Sequence, residues 1–151
     1  MKSLTLSFYL FLGSIQFSFG QCSTTVLEGF GSVSAIAVYN TYITIGSVAD
    51  GYVGEVFEAD YVVTLMDEQK SMISVVKESL NACVNDQSEG KLDQDDKNYL
   101  QELTLCLSYL EAEADGLLNF ASSGSEEALD KYSENRDKAW ELLESLLGLE
   151  E

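Results

Sequence analysis

The chain has no histidine and no proline among its 151 residues, and only eight lysines and arginines stand against 26 aspartates and glutamates, for a formal net charge of -18. Without histidine, the commonest general base and the commonest transition-metal ligand are both missing. Ser–His and Cys–His nucleophile pairs are excluded, and no Cys/His spacing for zinc exists. The scarcity of cations argues against nucleic acid as a partner, because nothing would neutralise the phosphates. It argues equally against attachment to an anionic membrane surface. No phosphate-cradling loop is present either: Gly29-Phe30-Gly31 offers two glycines without a third and without a following lysine. No Asn-x-Ser/Thr acceptor occurs, Asn40-Thr41-Tyr42 failing at its third position. Carboxylates are plentiful, but an acid pair of the glycosidase kind needs a cleft, which a small bundle with surface acids seldom provides. The chain therefore reads as a non-enzyme without cofactor or metal.

What is present begins with a leader pattern. Lys2 is a minimal positive segment, Leu4 to Phe19 is mostly apolar, and Ser18-Phe19-Gly20 places small residues where a signal peptidase cuts. Residues 1–20 read as a cleaved secretory signal peptide and 21–151 as a single acidic helical domain. As a membrane anchor the segment is short of about 20 apolar residues and is interrupted by Ser7, Ser14, Gln16 and Ser18. The expected location is extracellular.

All three cysteines, Cys22, Cys83 and Cys106, follow the leader and are disulfide candidates in an oxidising compartment. One internal bridge leaves a spare thiol, either buried or available for self-association. If the segments near 61–86 and 93–121 form a hairpin of helices turning near residue 90, Cys83 and Cys106 are offset by roughly 14 Å along the axis, too far to bridge. Cys22 paired with one of the other two is then the favoured arrangement.

Gly29 to Ala49 carries no charge at all. Its Val, Ile, Thr and Tyr content suits strands, yet no second strand-rich cluster follows to complete a sheet. We read it as a central, largely buried helix, with Phe30, Val33, Ala37, Tyr39 and Ile43 along one broad side and Ser32, Ala35 and Gly46 permitting close approach. Asp50-Gly51 and Gly54 then mark a weak point.

Downstream the pattern is regularly amphipathic. Val62, Met66, Gln69, Ile73, Val76, Leu80 and Cys83 recur at spacings of three and four, as do Leu100, Leu103, Leu107, Leu110, Ala114, Leu117 and Ala121, with Cys106 at the flank of the second stripe. Asp93 is an expected N-cap with Asp95 and Asp96 in the first turn. Ser123 with Glu126 fits a capping box for a last helix carrying Leu129, Tyr132, Arg136, Ala139, Leu143 and Leu146 on one face. Arg136, the only arginine, reads as a snorkelling side chain with a carboxylate partner. The fold class expected is all-α: an up-down bundle of three to four helices.

Two stretches invite a functional reading. Asn85 to Asp96 loosely resembles the calcium loop of EF-hands, with Gly90 at its sixth position, but Asn85, Gln87 and Asp96 stand where the strong ligands belong. An acidic loop leading into a helix N-cap is the simpler account. Phe30, Tyr39, Tyr42, Tyr52 and Phe57 would line an apolar cavity if the helices leave one, although core filling is the ordinary role of such residues. The leading expectation is a secreted, non-catalytic helical protein acting through protein interaction, or as a component of an extracellular fluid or assembly, its partner an unidentified protein or a cationic one. The alternative is a small carrier holding an apolar ligand between its helices.

Overall fold

The computed structural model describes residues 24–85 and 92–149, with side chains from Val33 onward. The expected leader, Cys22, the Phe30 side chain and positions 86–91 of the calcium-like stretch lie outside the described residues. Those described form four helices and no strand: α1 Thr24–Val53, α2 Ala59–Asn85, α3 Gln94–Ser123 and α4 Glu126–Leu147.

Local chemistry sets the boundaries. α1 stops where the Gly54 N–H returns to Asp50 O at 2.8 Å and the Val56 N–H to Gly51 O at 2.8 Å, folding the Phe57 ring onto the bare Cα of Gly51. The expected break at these glycines is therefore present. α3 opens as its sequence predicts: Asp93 is extended and its Oδ1 accepts the Asp96 N–H at 2.8 Å, satisfying one orphan donor. It ends at Gly124, whose φ of 66° costs a glycine little and lets its N–H reach Phe120 O at 2.8 Å.

The capping box at Ser123 does not form. Ser123 still belongs to the last turn of α3, and its hydroxyl donates to Asn119 O at 2.7 Å. The reversal at Gly124 starts α4 two residues later, with Ser125 as N-cap and Glu126 too early in the helix to reach back.

Pairs across the helices give the topology. Lys70 meets Asp115 at 2.5 Å and Lys77 meets Glu111 at 2.6 Å, so α2 runs antiparallel to α3. Cys106 lies by Ala139 and Glu113 by Arg136, so α4 is antiparallel to α3 as well. Tyr42 stacks near Trp140 while Tyr52 reaches Ala121, which sets α1 antiparallel to α4 and parallel to α3. This is the expected up-down order.

The centre is α3, not the charge-free segment. Every residue of the Leu100 to Ala121 stripe is buried, and Cys106, expected at its flank, is fully enclosed. α1 is instead peripheral: Val33, Ile36 and Ile43 are 60%, 53% and 42% exposed, and the buried face is Ala35, Val38, Ile45, Val48 and Ala49. A helix apolar on all sides offers no polar face to mark its outside. Small residues choose the face instead. A Cβ on Gly46 would come within 2.5 Å of the Arg136 guanidinium, so the bare Cα makes room for that side chain against α1. The other two stripes also need correction at one position each: Val76 on α2 is 46% exposed, and Leu129 on α4 yields its buried place to Ala128.

Candidate functional site

α1 packs chiefly on α3 and α4, leaving a gap toward α2. In it lies a half-open cavity of about 290 Å³. Val33, Ser34, Ala37, Val38 and Thr41 form one wall, Gln69, Met72, Ile73, Val76 and Leu80 the other, and Leu103 and Leu107 the floor. Among the described residues no charged side chain lines it. Its polar members are Ser34, Thr41 and Gln69, and the Thr41 hydroxyl is already committed to Ala37 O at 3.0 Å. Val33, Met72 and Val76 line the groove and still face solvent, an unfavourable exposure for apolar surface unless something covers it.

Across the bundle, polar chemistry is concentrated at one buried point. Glu113 on α3 is wholly enclosed, and its Oε1 accepts a hydrogen bond from Arg136 Nη1 at 2.7 Å. Its Oε2 has no hydrogen-bond partner among the described residues. Burial pushes this carboxyl up to about 7, although Arg136 pulls the other way. The guanidinium sits 4.0 Å over the Tyr42 ring and 3.4 Å from Tyr42 O, binding α1 to the α3–α4 pair. Burial also raises the Tyr42 phenol and lifts that of Tyr132 to about 12. Arg136 thus has the carboxylate partner its place on an apolar face implies. Glu113 itself was missed, though its place between Leu110 and Leu117 on the leucine stripe, opposite a lone arginine, is the signal that names it.

The aromatic set is not gathered around one cavity. Tyr42 packs on Trp140 at 5.4 Å, and Tyr52 meets Phe120 edge-on at 5.8 Å while its hydroxyl donates to Ala121 O at 3.3 Å. Phe57 covers Gly51 and lies 5.2 Å from Tyr61, and Tyr39 is half-buried against the core. None of these four lines the groove, whose walls come from their aliphatic neighbours. The sign of those walls in the sequence is Val33, Ala37 and Thr41 at helical spacing, facing Gln69, Ile73, Val76 and Leu80.

Cys106 is the free cysteine among the described residues. Its Sγ points at Ala139 O, 3.7 Å away, and burial, reinforced by Glu113, pushes the thiol up to about 12. Such a thiol is inert and cannot meet a second chain without unfolding. Cys83 sits half-buried near the end of α2, packed against the core. In the calcium-like stretch, Asn85 instead donates to Asn81 O and Asp93 caps α3. No group of three acidic or thiol side chains among the described residues is placed to hold a metal, and no helix among them is long and apolar enough to cross a membrane.

No protein-family model, curated protein or solved structure matches this chain.

Proposed function

We propose that this protein is secreted, is not an enzyme, and works by binding another protein, with the groove between α1 and α2 receiving an amphipathic, basic helix. The observation that supports it is an uncharged groove with exposed apolar walls on a chain of net charge -18. From Gln69 to Leu80 the α2 wall is about 16 Å long at 1.5 Å per residue, the reach of three helical turns. That length suits anchors at i, i+3 or i+4, and i+7 of a docked helix. Cations flanking those anchors would meet the acidic surface and be steered toward it. Secretion rests on the leader pattern; a bridge between Cys22 and Cys83, the pairing left with Cys106 free, is what an oxidising compartment would then form. Such a bridge contributes about 2–4 kcal/mol.

The carrier reading draws on the cavity itself, whose volume lies near the lower end of small-molecule pockets, about 300–1,000 Å³. It ranks second because a ligand of that size would leave Val33, Met72 and Val76 partly exposed at the rim. Native mass spectrometry of the secreted protein separates the two: a complex with a second polypeptide supports interaction, and a small non-covalent adduct supports the carrier. A titration is more specific. A labelled basic amphipathic helical peptide should bind by fluorescence anisotropy, its acidic counterpart should not, and Val76→Asp should weaken binding about tenfold or more. Equal binding of both peptides, or indifference to Val76→Asp, would overturn the docking site. Thiol titration checks the bridge: none reactive in the native protein, one per chain after unfolding without reductant, against three if no bridge exists.

A further inference from the structure

The far end of α1 carries a second half-open cavity, of about 340 Å³, bordered by α1, α3 and α4. Leu117 forms its buried apolar floor, Phe120 and Tyr132 contribute aromatic rings, and Val53 and Leu129 stand at its mouth, 70% and 37% exposed. Among the described residues, the one charged group in the lining is Asp50. Five of the chain's cations, Lys70, Lys77, Lys131, Arg136 and Lys138, are engaged with other carboxylates, and among the described residues none pairs with Asp50. Asp50 and Tyr132 line the same space, and burial holds the Tyr132 phenol protonated. The walls are fixed: Tyr52 ties this end of α1 to Phe120 and Ala121, and Phe57 clamps the turn onto Gly51.

One carboxylate beside two aromatic rings in an otherwise apolar cavity is the recognition chemistry of an amine. Asp50 supplies a counter-charge from the exposed rim, aromatic rings in the lining favour a cation where a face is reached, and the apolar walls take the body that carries it. From this charge complementarity we infer that the cavity binds a small organic cation, a primary amine on an aromatic or branched apolar body. The site is independent of the α1–α2 groove, and neither reading depends on the other.

Isothermal titration of the secreted protein with phenethylamine and with its neutral counterpart 2-phenylethanol, at low ionic strength, tests the assignment. The amine should bind about tenfold more tightly than the alcohol, a preference that a charge contact plus ring faces supplies. Asp50→Asn should abolish that preference. Asp50 is exposed, so the exchange leaves the fold intact. Leu129→Trp should block the mouth and weaken both ligands. Glu141→Gln makes the same change in net charge at an exposed position on α4 outside this lining and should change nothing. Equal affinity for amine and alcohol, no binding of the amine, or equal loss in Asp50→Asn and Glu141→Gln would each overturn the proposal, the last by assigning the attraction to the overall negative field.

Discussion

The α3–α4 interface and the α1–α2 interface are built from similar aliphatic material and end up opposite in character. Between α3 and α4 the helices are close: Gly116 lies so near the Tyr132 backbone that a Cβ would come within 2.7 Å of its nitrogen, and Leu110, Leu117, Ala139 and Leu143 leave almost no exposed surface. Between α1 and α2 the helices part, and Val33, Met72 and Val76 stay wet at the edge of a cavity. Apolar content does not decide packing. At α3–α4 Gly116 lets the backbones meet; on the wall facing α2 Ser34 and Ala37 are small, yet among the described residues no glycine there makes such a close approach. The first interface holds the fold, and the second leaves apolar surface uncovered.

The comparison breaks most readily in the leucine stripe. Leu110→Ala should cost about 3–4 kcal/mol, because a fully buried side chain is lost among neighbours that cannot collapse around it. Ile73→Ala, which deletes the same number of carbons from a buried residue that borders the groove, should cost only about 2 kcal/mol, since the space beside it is already open. Urea unfolding of both variants measures the contrast. Equal losses would mean that the groove is as tightly packed as the core.

Arg136→Ala should come next, at about 3 kcal/mol near pH 8, because it leaves the Glu113 carboxylate buried without its partner. The deficit should shrink toward pH 5. Glu113 has a folded-state pKa of about 7, above its value of 4.5 when unperturbed, so the folded protein holds this proton more tightly than the unfolded chain does. Its contribution to stability is therefore fully present below about pH 4.5 and is lost as pH rises through about 7. In the parent protein that loss is on the order of 2 kcal/mol between about pH 5 and pH 8. Glu113→Gln, which cannot ionise, should remove this component. Thermal melts across that range check it, and a parent whose stability rises over the interval would contradict the assignment.

A smaller test of close approach is Gly116→Ala. The added Cβ must displace the α4 backbone at Tyr132, so about 1–3 kcal/mol should be lost despite the better helix propensity of alanine. A stabilised variant would show that α3 and α4 have room to spare.

The same contrast explains how much was legible in the sequence. α3 could be read because a leucine stripe with polar flanks has only one way to face a core, and its Asp93 cap follows from the residue's chemistry. The charge-free segment was legible as a helix but not as to its face, since Val33, Ile36 and Ile43 are no less apolar than Val38, Ile45 and Val48. Its buried side was chosen by Ala35, Gly46 and Ala49 fitting against neighbours distant in sequence. The aromatic residues offered as cavity lining were conspicuous for size, while the groove depends on a gap between helices, and a gap is a property of pairs of helices rather than of either one. Glu113 escaped notice because one more acid among 26 carries no mark of its own until Arg136 is seen opposite it.

The smallest expected effect on stability bears most directly on function. Val76→Ser removes apolar surface that is already half in water and creates no enclosed void, so unfolding free energy should change by less than about 0.5 kcal/mol. The same substitution should weaken the basic helical peptide measurably by anisotropy, because that surface becomes fully buried only when the groove is occupied. A core position shows the reverse: Leu110→Ala should lower stability steeply while the surviving folded protein binds as before. Under the docking proposal, stability and binding should thus separate onto the two interfaces. Should Val76→Ser destabilise the protein as a core substitution does, the groove would have to be closed in solution, and the exposed walls that support the docking reading would not be available to a partner.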